Sequence, residues 1–359
     1  MNNEKIVKYI HAIQSGTICN LSCSYCYVPT LKDEQRNQPV KFNYPLKDIA
    51  KAISKERLGG MALITYVGGG ETFLTDDSIE LLRLFLEEGH IVNAVSNLTY
   101  TPAIEKICQF PEELRQRLQF SASFHYLELK RKNLLDTYFD NLQKLDIAGI
   151  TYYINLTFCE DYVPYMDEIK DICIKKTGRN PFILYCLDAN DSWKRSSIYT
   201  KEFINELIKK YDCDYLKIED DISYGKYQNK FCYMGDWGFI YNLETGTISA
   251  CFDSPATQNI VEDLSKPIKF EAVGTCCSSY CSMGARFLGL GVVPQIKDFP
   301  TYSNLYSKVK NYPKNSLVSS ATDVNFSLVN KKYSKFKKIK ILFSRHFDKK
   351  YKIGSWNQK

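Results

Sequence analysis

The chain has 359 residues, of which 44% are hydrophobic and 25% are charged, and it contains 13 cysteines. This length and apolar content predict one large domain or two smaller ones with a buried core. No stretch of about 18 apolar residues occurs, and no long apolar segment follows the polar start, so we expect neither a membrane-spanning helix nor a secretory signal. The chain has many cysteines, their number is odd, and we expect no export signal. These features together predict a reduced cytoplasmic protein whose cysteines bind metal.

The net charge of +6 is unevenly distributed along the chain. From Lys331 to Lys359 there are eleven Lys or Arg and one acid, a net charge of +10, so the rest of the chain carries −4. The main body is therefore mildly acidic, and we expect no nucleic-acid partner. The tail is either a solvated basic C-terminus or a peripheral contact with a membrane surface or an acidic partner.

Short apolar segments alternate with amphipathic ones over the first 215 residues. Strands are predicted at Ile6–Gln14, Met61–Val67, His90–Val95, Leu118–Phe124, Ile150–Phe158 and Pro181–Leu187. Helices are predicted at Leu46–Leu58, Asp76–Glu88, Pro102–Phe110, Asn133–Ala148, Tyr162–Lys176 and Lys201–Tyr211. Six successive βα units favour an α/β fold with a parallel sheet and outer helices, in which the active site lies at the carboxyl ends of the strands.

The pattern changes after about residue 215, where the predicted strands become short, aromatic and interrupted by glycine. We therefore divide the chain into a βα domain at 1–218, a small cysteine-rich α+β module at 219–290, and a C-terminal extension with the basic tail at 291–359. The segment 291–330 has no periodicity that predicts an element.

Three cysteines, Cys19, Cys23 and Cys26, lie within eight residues of one another, directly after the first predicted strand. Three is an odd number and the segment is tight, which disfavours disulfides and favours one metal centre. A four-iron cluster normally takes four thiolates, so three would leave one iron open to a substrate or cofactor. Zinc is the alternative, but it needs a fourth ligand, and the spacing of His11 fits no zinc-finger pattern.

This C-x3-C-x2-C spacing, with Tyr25 before the third cysteine, resembles the signature of the radical S-adenosylmethionine (radical SAM) enzymes. The resemblance implies a partial (β/α)6 barrel with a [4Fe–4S] cluster on Cys19, Cys23 and Cys26. It further implies that the open iron binds SAM, with Tyr25 among the cofactor contacts, and that SAM is cleaved reductively to a 5′-deoxyadenosyl radical. A flavodoxin- or ferredoxin-type electron donor is implied as a partner.

A glycine-rich turn, Gly68-Gly69-Gly70-Glu71, ends the second predicted strand. Glycines let the backbone approach a ligand closely, although a plain strand-to-helix turn has the same composition. Its place, one strand after the cysteines, resembles the Gly-Gly-Glu motif that contacts the SAM amino group in the family. Thr72 stands where the family usually has proline, which predicts a less rigid turn.

Further polar residues end the third and fourth predicted strands. Ser96 and Asn97 occupy the place of the family's Ser/Thr-Asn pair near SAM, although a helix cap or turn is the alternative. Ser121 and Ser123 are predicted to bind SAM or substrate from the barrel mouth. His125 is the candidate catalytic residue, because imidazole moves protons at neutral pH; a structural histidine is the alternative.

A second set of cysteines lies in the C-terminal part. Cys232 and Cys251 bracket Gly246 in the pattern C-x13-G-x4-C, and the glycine suits a β-hairpin turn. The set resembles the auxiliary-cluster modules called SPASM and twitch, although the spacing of its last pair departs from the twitch pattern. The resemblance implies a second [4Fe–4S] cluster on Cys232, Cys251, Cys277 and Cys281, with Cys276 as the alternative to Cys277; a structural zinc is the other interpretation.

The function favoured by these patterns is a radical SAM oxidoreductase that abstracts a substrate hydrogen atom and oxidises or modifies a sugar- or cyclitol-like small molecule. The first alternative is a maturase that modifies a peptide or protein side chain, although Cys19 lies too early in the chain for a leader-binding domain ahead of it. The non-enzyme alternative is a zinc-binding scaffold protein.

Overall fold

The structure is a computed structural model that describes residues 5–188, 194–195, 198–212, 216, 230–252, 254–275, 281, 291–294 and 332–347. Its strands in chain order are β1 (Ile6–Gln14), β2 (Met61–Gly68), β3 (Ile91–Ser96), β4 (Leu118–Ser123), β5 (Thr151–Phe158), β6 (Phe182–Tyr185), β7 (Leu187–Asp188), β8 (Lys194–Arg195), β9 (Phe231–Cys232), β10 (Gly238–Asn242), β11 (Thr247–Ser249), β12 (Ala256–Asn259) and β13 (Gly274–Thr275). Strands β1 to β6 pair in sequence order, and every pair is parallel.

The helices lie in the connections between these strands, except for the last helix, which follows β13. They are α1 (Leu46–Lys51), α2 (Lys55–Leu58), α3 (Asp76–Glu87), α4 (Thr101–Cys108), α5 (Glu112–Arg115), α6 (Tyr126–Arg131), α7 (Leu135–Ile147), α8 (Met166–Thr177), α9 (Lys201–Tyr211) and α10 (Lys335–Phe347). In α3, the Thr75 hydroxyl caps the first turn by accepting the Ser78 amide at 3.3 Å, and Asp76 and Asp77 complement the helix dipole. The apolar face of α3 then packs against the sheet, with Leu82 and Phe85 fully buried.

The sheet continues beyond β1 on its other edge. Strand β10 lies parallel to β1, with Tyr9 opposite Gly238 and Ile13 opposite Asn242. Strands β11 and β12 follow as an antiparallel meander, so the order is β12-β11-β10-β1-β2-β3-β4-β5-β6. The hairpin between β10 and β11 turns at Gly246, whose φ is +70°, which confirms the predicted role of this glycine.

Fully buried tyrosines are prominent in the core, and their hydroxyl groups find partners. Tyr66 donates to Gln14 Oε1 at 2.6 Å, Tyr9 donates to Thr65 Oγ1 at 2.6 Å, and Tyr138 donates to the Ala122 carbonyl at 3.0 Å. A buried phenol without such a partner would lose the hydrogen bonds that it makes to water. The tyrosines therefore serve the packing of the core.

The predicted α/β class and the six parallel βα units are confirmed. One difference is that the helix predicted over Leu46–Leu58 is two helices, because Ser54 starts a new helix by accepting the Arg57 amide. Another is that the segment from Glu160 to Tyr165, which contains Pro164, forms a 3₁₀ turn before α8. The division at residues 218 and 290 stays a prediction. In the described part of the chain, no helix is long and apolar enough to cross a membrane.

Candidate functional site

The cysteine loop, residues 16–38, follows β1 and is held by hydrogen bonds within the loop and by hydrogen bonds with the α6 region. Within the loop, Thr17 donates its amide to the Gln38 carbonyl at 2.9 Å. From the α6 side, the Glu128 carboxylate accepts the Ser22 amide at 2.8 Å, and Lys132 Nζ donates to the Asn20 carbonyl at 2.7 Å. The loop between Cys19 and Cys26 is thus held by contacts to residues more than a hundred positions away.

The glycines of the Gly68-Gly69-Gly70-Glu71 turn lie against this loop. The Gly70 amide donates to the Gly16 carbonyl at 2.8 Å, and the Glu71 amide donates to the Ile18 carbonyl at 3.0 Å. A Cβ on Gly70 would lie 2.1 Å from the Ile18 carbonyl oxygen, and a Cβ on Gly69 would lie 2.9 Å from the Gly16 oxygen. In this structure the missing side chains therefore let two backbone segments of the chain itself come together. Binding of SAM at Gly68, Gly69 and Gly70 stays a prediction.

Thr72, which stands in the place of the family's proline, takes part in closing the same turn. Its hydroxyl accepts the Gly68 amide at 3.0 Å, and its carbonyl accepts Gln14 Nε2 at 2.8 Å. Gln14 is fully buried at the end of β1 and also accepts from Tyr66 and Ser78. Side-chain hydrogen bonds thus restrain this turn where a proline ring would otherwise do so.

Glu71 is a buried carboxylate that connects the ends of β2 and β3. It accepts the Ser96 hydroxyl at 2.7 Å, the Asn97 amide at 2.8 Å and the Phe73 amide at 3.3 Å. Burial raises the pKa of Glu71, and these hydrogen bonds oppose that effect. Because its oxygens hold the third strand's end, Glu71 positions Ser96 and Asn97.

Asn97 extends this network to the first cysteine. Its Nδ2 lies 2.8 Å from Asn20 Oδ1 and 3.8 Å from Cys19 Sγ, and its Oδ1 accepts the Thr99 amide and hydroxyl. Asn20 in turn donates to Thr99 Oγ1 at 2.7 Å, and the Leu21 amide lies 3.4 Å from Cys19 Sγ. Two N–H groups therefore face the Cys19 sulfur, as is typical of sulfurs that ligate iron.

The three thiols are accessible in different degrees. Cys19 is exposed, whereas Cys23 and Cys26 are half-buried. Loop atoms packed around the sulfurs exclude water from them, which raises the pKa of the Cys19 thiol although the residue as a whole is exposed, and raises the pKa of Cys23 to about 12. Both thiols are therefore protonated at neutral pH when no metal is bound. Within the described ranges, no three His, Cys, Asp or Glu side chains form a group that could hold a metal ion. The soft donor set and the N–H groups facing Cys19 fit an iron–sulfur cluster, and its ligation by these cysteines stays a prediction.

Tyr25 and His125 form a hydrogen-bonded pair beside the loop. Tyr25 Oη lies 2.6 Å from His125 Nδ1, and Tyr162 donates its hydroxyl to Tyr25 at 3.4 Å. Burial lowers the pKa of His125 to about 4 and raises the pKa of Tyr25 well above its usual value. Both groups are therefore neutral near pH 7, and we assign the shared proton to Tyr25, which donates to Nδ1. A catalytic role for His125 stays a prediction.

A cleft of about 340 Å³ opens between the cysteine loop and α6. Cys23, Tyr25, Arg131 and Asp161 contribute to its lining. The Glu128 carboxylate, whose pKa is lowered by its hydrogen bond from Arg131, forms part of the same wall. The cleft thus combines charged and phenolic groups beside one predicted ligand cysteine.

The two serines of β4 differ in environment. Ser121 is fully buried, and its hydroxyl accepts Asn155 Nδ2 at 3.1 Å. Ser123 is half-buried at the carboxyl end of the strand. Of the two, Ser123 is the better placed to contact a ligand, and both assignments stay predictions.

The second cysteine set is only partly described. Cys232 lies in β9 and pairs with Gly274 of β13, and Cys251 Sγ lies 3.2 Å from Ser254 Oγ just after β11. Cys281 is half-buried, whereas Cys276 and Cys277 lie outside the described residues. The auxiliary site therefore stays a prediction.

Sequence reasoning did not identify several residues that shape the loop. Asn20, Thr99 and Lys132 hold the loop through hydrogen bonds that span 77 to 112 positions. The one available signal was the position of Asn20 between the first two cysteines. Polar residues in loops are common, and their long-range partners cannot be inferred from periodicity.

The sequence matches no protein-family model and no curated protein. Solved structures do resemble the fold. SuiB from Streptococcus suis bound to S-adenosylmethionine aligns with a TM-score of 0.51 at 15% identity, over 72% of this chain and 64% of SuiB. The structure of anSMEcpe with bound AdoMet aligns with a TM-score of 0.52 at 16% identity, over 72% and 77%, and its complex with AdoMet and the Kp18Cys peptide gives 0.52 at 15%, over 72% and 80%. At these identities the likeness establishes a shared fold, and the aligned part spans less than two thirds of SuiB.

Proposed function

We propose that this chain, which has the partial-barrel fold of radical SAM enzymes, holds a [4Fe–4S] cluster on Cys19, Cys23 and Cys26 and binds SAM beside it. When bound, the cluster supplies the electron that splits SAM into methionine and a 5′-deoxyadenosyl radical. The observation that carries the proposal is the meeting of three motifs at one edge of the sheet. Glu71 accepts from Ser96 and the Asn97 amide, and Asn97 Nδ2 lies 3.8 Å from Cys19 Sγ.

The chain's own residues have two tasks in this proposal, which are to hold the cysteine loop and to present polar groups to SAM. Glu71 and the glycines dock the second and third strand ends against the loop. The groups proposed to contact SAM line the ends of the first four strands: Tyr25, Gly68, Gly69, Gly70, Glu71, Ser96, Asn97, Ser121 and Ser123. Because Glu71 already accepts three hydrogen bonds, we expect it to act mainly by orienting Ser96 and Asn97.

Anaerobic reconstitution tests the proposal directly. We expect about four irons and four sulfides for the first cluster and formation of 5′-deoxyadenosine when a reduced flavodoxin- or ferredoxin-type donor is supplied with SAM. Cys23→Ala should abolish SAM cleavage, because the cluster loses a ligand. Cys108→Ala, which removes a half-buried thiol far from both sets along the chain, is the matched control. Retained cleavage in Cys23→Ala would sink the assignment.

The second cysteine set is proposed to hold an auxiliary [4Fe–4S] cluster on Cys232, Cys251, Cys277 and Cys281 that accepts an electron from the substrate radical. The short Cys251–Ser254 contact and the pairing of Cys232 beside Gly274, two residues before Cys276, support a site there. Cys251→Ala should spare the first cluster and some SAM cleavage while it blocks substrate turnover. Zinc in place of the second cluster would leave the total at about four irons.

For the substrate we propose a hydroxyl-bearing small molecule of the sugar or cyclitol class, which is oxidised or otherwise modified at a carbon centre. The neutral Tyr162–Tyr25–His125 chain supports this, because neutral donors and acceptors suit hydroxyl groups. A peptide is the second candidate, because anSMEcpe binds a peptide together with AdoMet. Substrate-dependent 5′-deoxyadenosine formation with a panel of cyclitols and sugar nucleotides, and then with peptides, would separate the two.

A further inference from the structure

Among the described residues, the contacts of helix α10 with the rest of the protein lie on one face of the helix. Ile341 is 5% exposed and packs beside Gly274 of β13. Just before the helix, Tyr333 donates its hydroxyl to Asp236 Oδ2 at 2.6 Å and its amide to the Tyr233 hydroxyl at 3.0 Å. Lys338 lies 4.9 Å from the centre of the Phe231 ring on the same side. These contacts fix which face of the helix points inward.

The opposite face of α10 is an exposed apolar stripe. Phe336 is 79% exposed, Ile339 is 50% exposed and Phe343 is 66% exposed. With 3.6 residues per turn, all three lie within about 40° of the direction opposite Ile341. Large apolar side chains scattered singly on a surface need no explanation, but three in one stripe on a single helix indicate a contact surface.

Lysines flank this stripe on both sides. Lys335 and Lys340 are exposed and, by the same helical geometry, lie on either side of the apolar stripe. Among the described residues, no carboxylate lies within ion-pair distance of either lysine, whereas Lys337 and Lys338 on the inward side rest on the Tyr333 and Phe231 rings. The exposed face of α10 is thus apolar at its centre and positively charged at its margins.

We propose that α10 lies in the headgroup region of an anionic lipid bilayer, with Phe336, Ile339 and Phe343 inserted and Lys335 and Lys340 at the phosphate level. Amphipathic helices with this distribution bind in the plane of the interface, and their lysines extend along the apolar surface to the headgroups. The net charge of +10 over residues 331–359 complements an anionic surface.

A bilayer suits this surface better than a protein partner. Pairing with a second copy would bring lysine margins together, and three side chains fall far short of the roughly 800 Å² per partner that a stable interface buries. An acidic protein would need a groove to accept the convex stripe, whereas a bilayer accepts any convex apolar face. None of the α10 contacts named above involves a residue of the cysteine loop, so the proposal stands or falls independently of SAM chemistry.

Co-sedimentation of the full chain with lipid vesicles tests the proposal. We expect binding to phosphatidylcholine vesicles that contain phosphatidylserine, weak binding to pure phosphatidylcholine, and a decline in binding as salt increases. Phe336→Ser/Phe343→Ser should weaken binding about tenfold or more. Lys335→Gln/Lys340→Gln should weaken it about thirtyfold at low salt. Since all four residues are exposed, folding should be preserved, and circular dichroism checks this.

Two matched controls remove the same kinds of group elsewhere. Ile147→Ser removes an 81% exposed apolar side chain at the end of α7, and Lys47→Gln/Lys51→Gln neutralises two exposed lysines of α1. Neither control should change vesicle binding. The proposal is overturned if the full chain ignores phosphatidylserine, or if the controls weaken binding as much as the α10 variants do. Two further measurements test the other occupants, which are an acidic protein and a second copy of the chain. The proposal is also overturned if the chain binds poly-glutamate but no vesicles, or if light scattering shows a dimer that Phe336→Ser dissociates. Iron content measured on the same sample keeps this result separate from the function proposed above.

Discussion

Replacing Gly70 by alanine should displace the cysteine loop from the sheet. A Cβ at this position would lie 2.1 Å from the Ile18 carbonyl oxygen, 2.6 Å from the Ile18 carbonyl carbon and 2.7 Å from the Thr17 carbonyl carbon. All three are backbone atoms, so no side-chain rotation relieves the overlap. The loop segment next to Cys19 must retreat by about 1 Å to restore ordinary contact distances.

The loss of folding stability follows from the hydrogen bonds that this displacement of the loop breaks. The Gly70 amide and the Glu71 amide bond to the Gly16 and Ile18 carbonyls at 2.8 and 3.0 Å. Losing two hydrogen bonds costs about 1–3 kcal/mol, and forcing a methyl group into a filled space costs about 1–3 kcal/mol more. We therefore expect the free energy of unfolding to fall by about 3 kcal/mol, or the loop to detach with little change in global stability. Either outcome disturbs the backbone that carries Cys19.

Two measurements on one preparation test this, namely urea unfolding and iron per chain after anaerobic reconstitution. Gly149→Ala is the control, because nothing lies within 4 Å of its Cβ although its φ of +70° is strained for alanine. That strain costs about 1–2 kcal/mol, far from the cysteine loop. Gly70→Ala should lose iron and Gly149→Ala should keep it. Wild-type iron content and stability in Gly70→Ala would refute the reasoning, and equal iron loss in both variants would show that loading follows global stability alone.

Three further predictions follow from other contacts. Burial lowers the pKa of His125 to about 4 in the folded protein, whereas His125 in the unfolded chain has the ordinary value of 6.5. Between these two pH values the unfolded state binds more protons than the folded state, so the free energy of unfolding should fall as the pH is lowered, by about 2 kcal/mol from about pH 7.5 to about pH 5. The decrease should be much smaller in His125→Asn, and urea unfolding midpoints measured at each pH would show this. Asp236→Ala should cost about 3 kcal/mol in thermal unfolding, because the buried Lys8 ammonium loses its carboxylate and keeps the carbonyl of residue 236 and the Phe270 ring, and Lys8→Met in the same chain should restore part of that loss. In protein reconstituted with the proposed first cluster, Asn97→Ala should make its potential more negative by about 20–60 mV in a redox titration, because one N–H group facing Cys19 is lost; an unchanged potential would remove Asn97 from this role.

The βα units could be predicted because their signals are local. Each strand and helix shows its own apolar period within about a dozen residues, and caps such as Thr75 mark the helix starts. The parallel addition of β10 beside β1 could not be predicted in the same way. It joins residues more than 220 positions apart, and β10 is only five residues long. Pairing at that separation leaves no local trace beyond a short apolar run.

The site could be predicted as far as the geometry of parallel sheets determines it. Cys19, Glu71 and Asn97 follow β1, β2 and β3, and the carboxyl ends of parallel strands meet at one edge. What the sequence did not reveal is how these residues divide the work. Gly70 makes room for the loop backbone, which no local pattern predicted, and its contact with SAM stays a prediction. The Glu71 oxygens accept three hydrogen bonds from neighbouring residues, which the sequence pattern did not predict, and the contact of Glu71 with SAM stays a prediction. The residue type and its place after a strand predict that a side chain lies near the site, whereas its hydrogen-bond partners depend on how the chain packs.

Lys8 shows where one further signal could have been used. A lysine in a largely apolar strand is rarely buried without an acidic partner, so the presence of Lys8 in β1 predicts a carboxylate nearby. That carboxylate is Asp236, which also accepts the Tyr333 hydroxyl at 2.6 Å. One acid thus connects the first strand, the turn that leads back into the sheet at β10, and the segment that starts α10. The cysteine loop leaves the far end of the same strand, so a mutation at Asp236 should loosen β1, β10 and α10 together while it leaves the local hydrogen bonds of Glu71 intact.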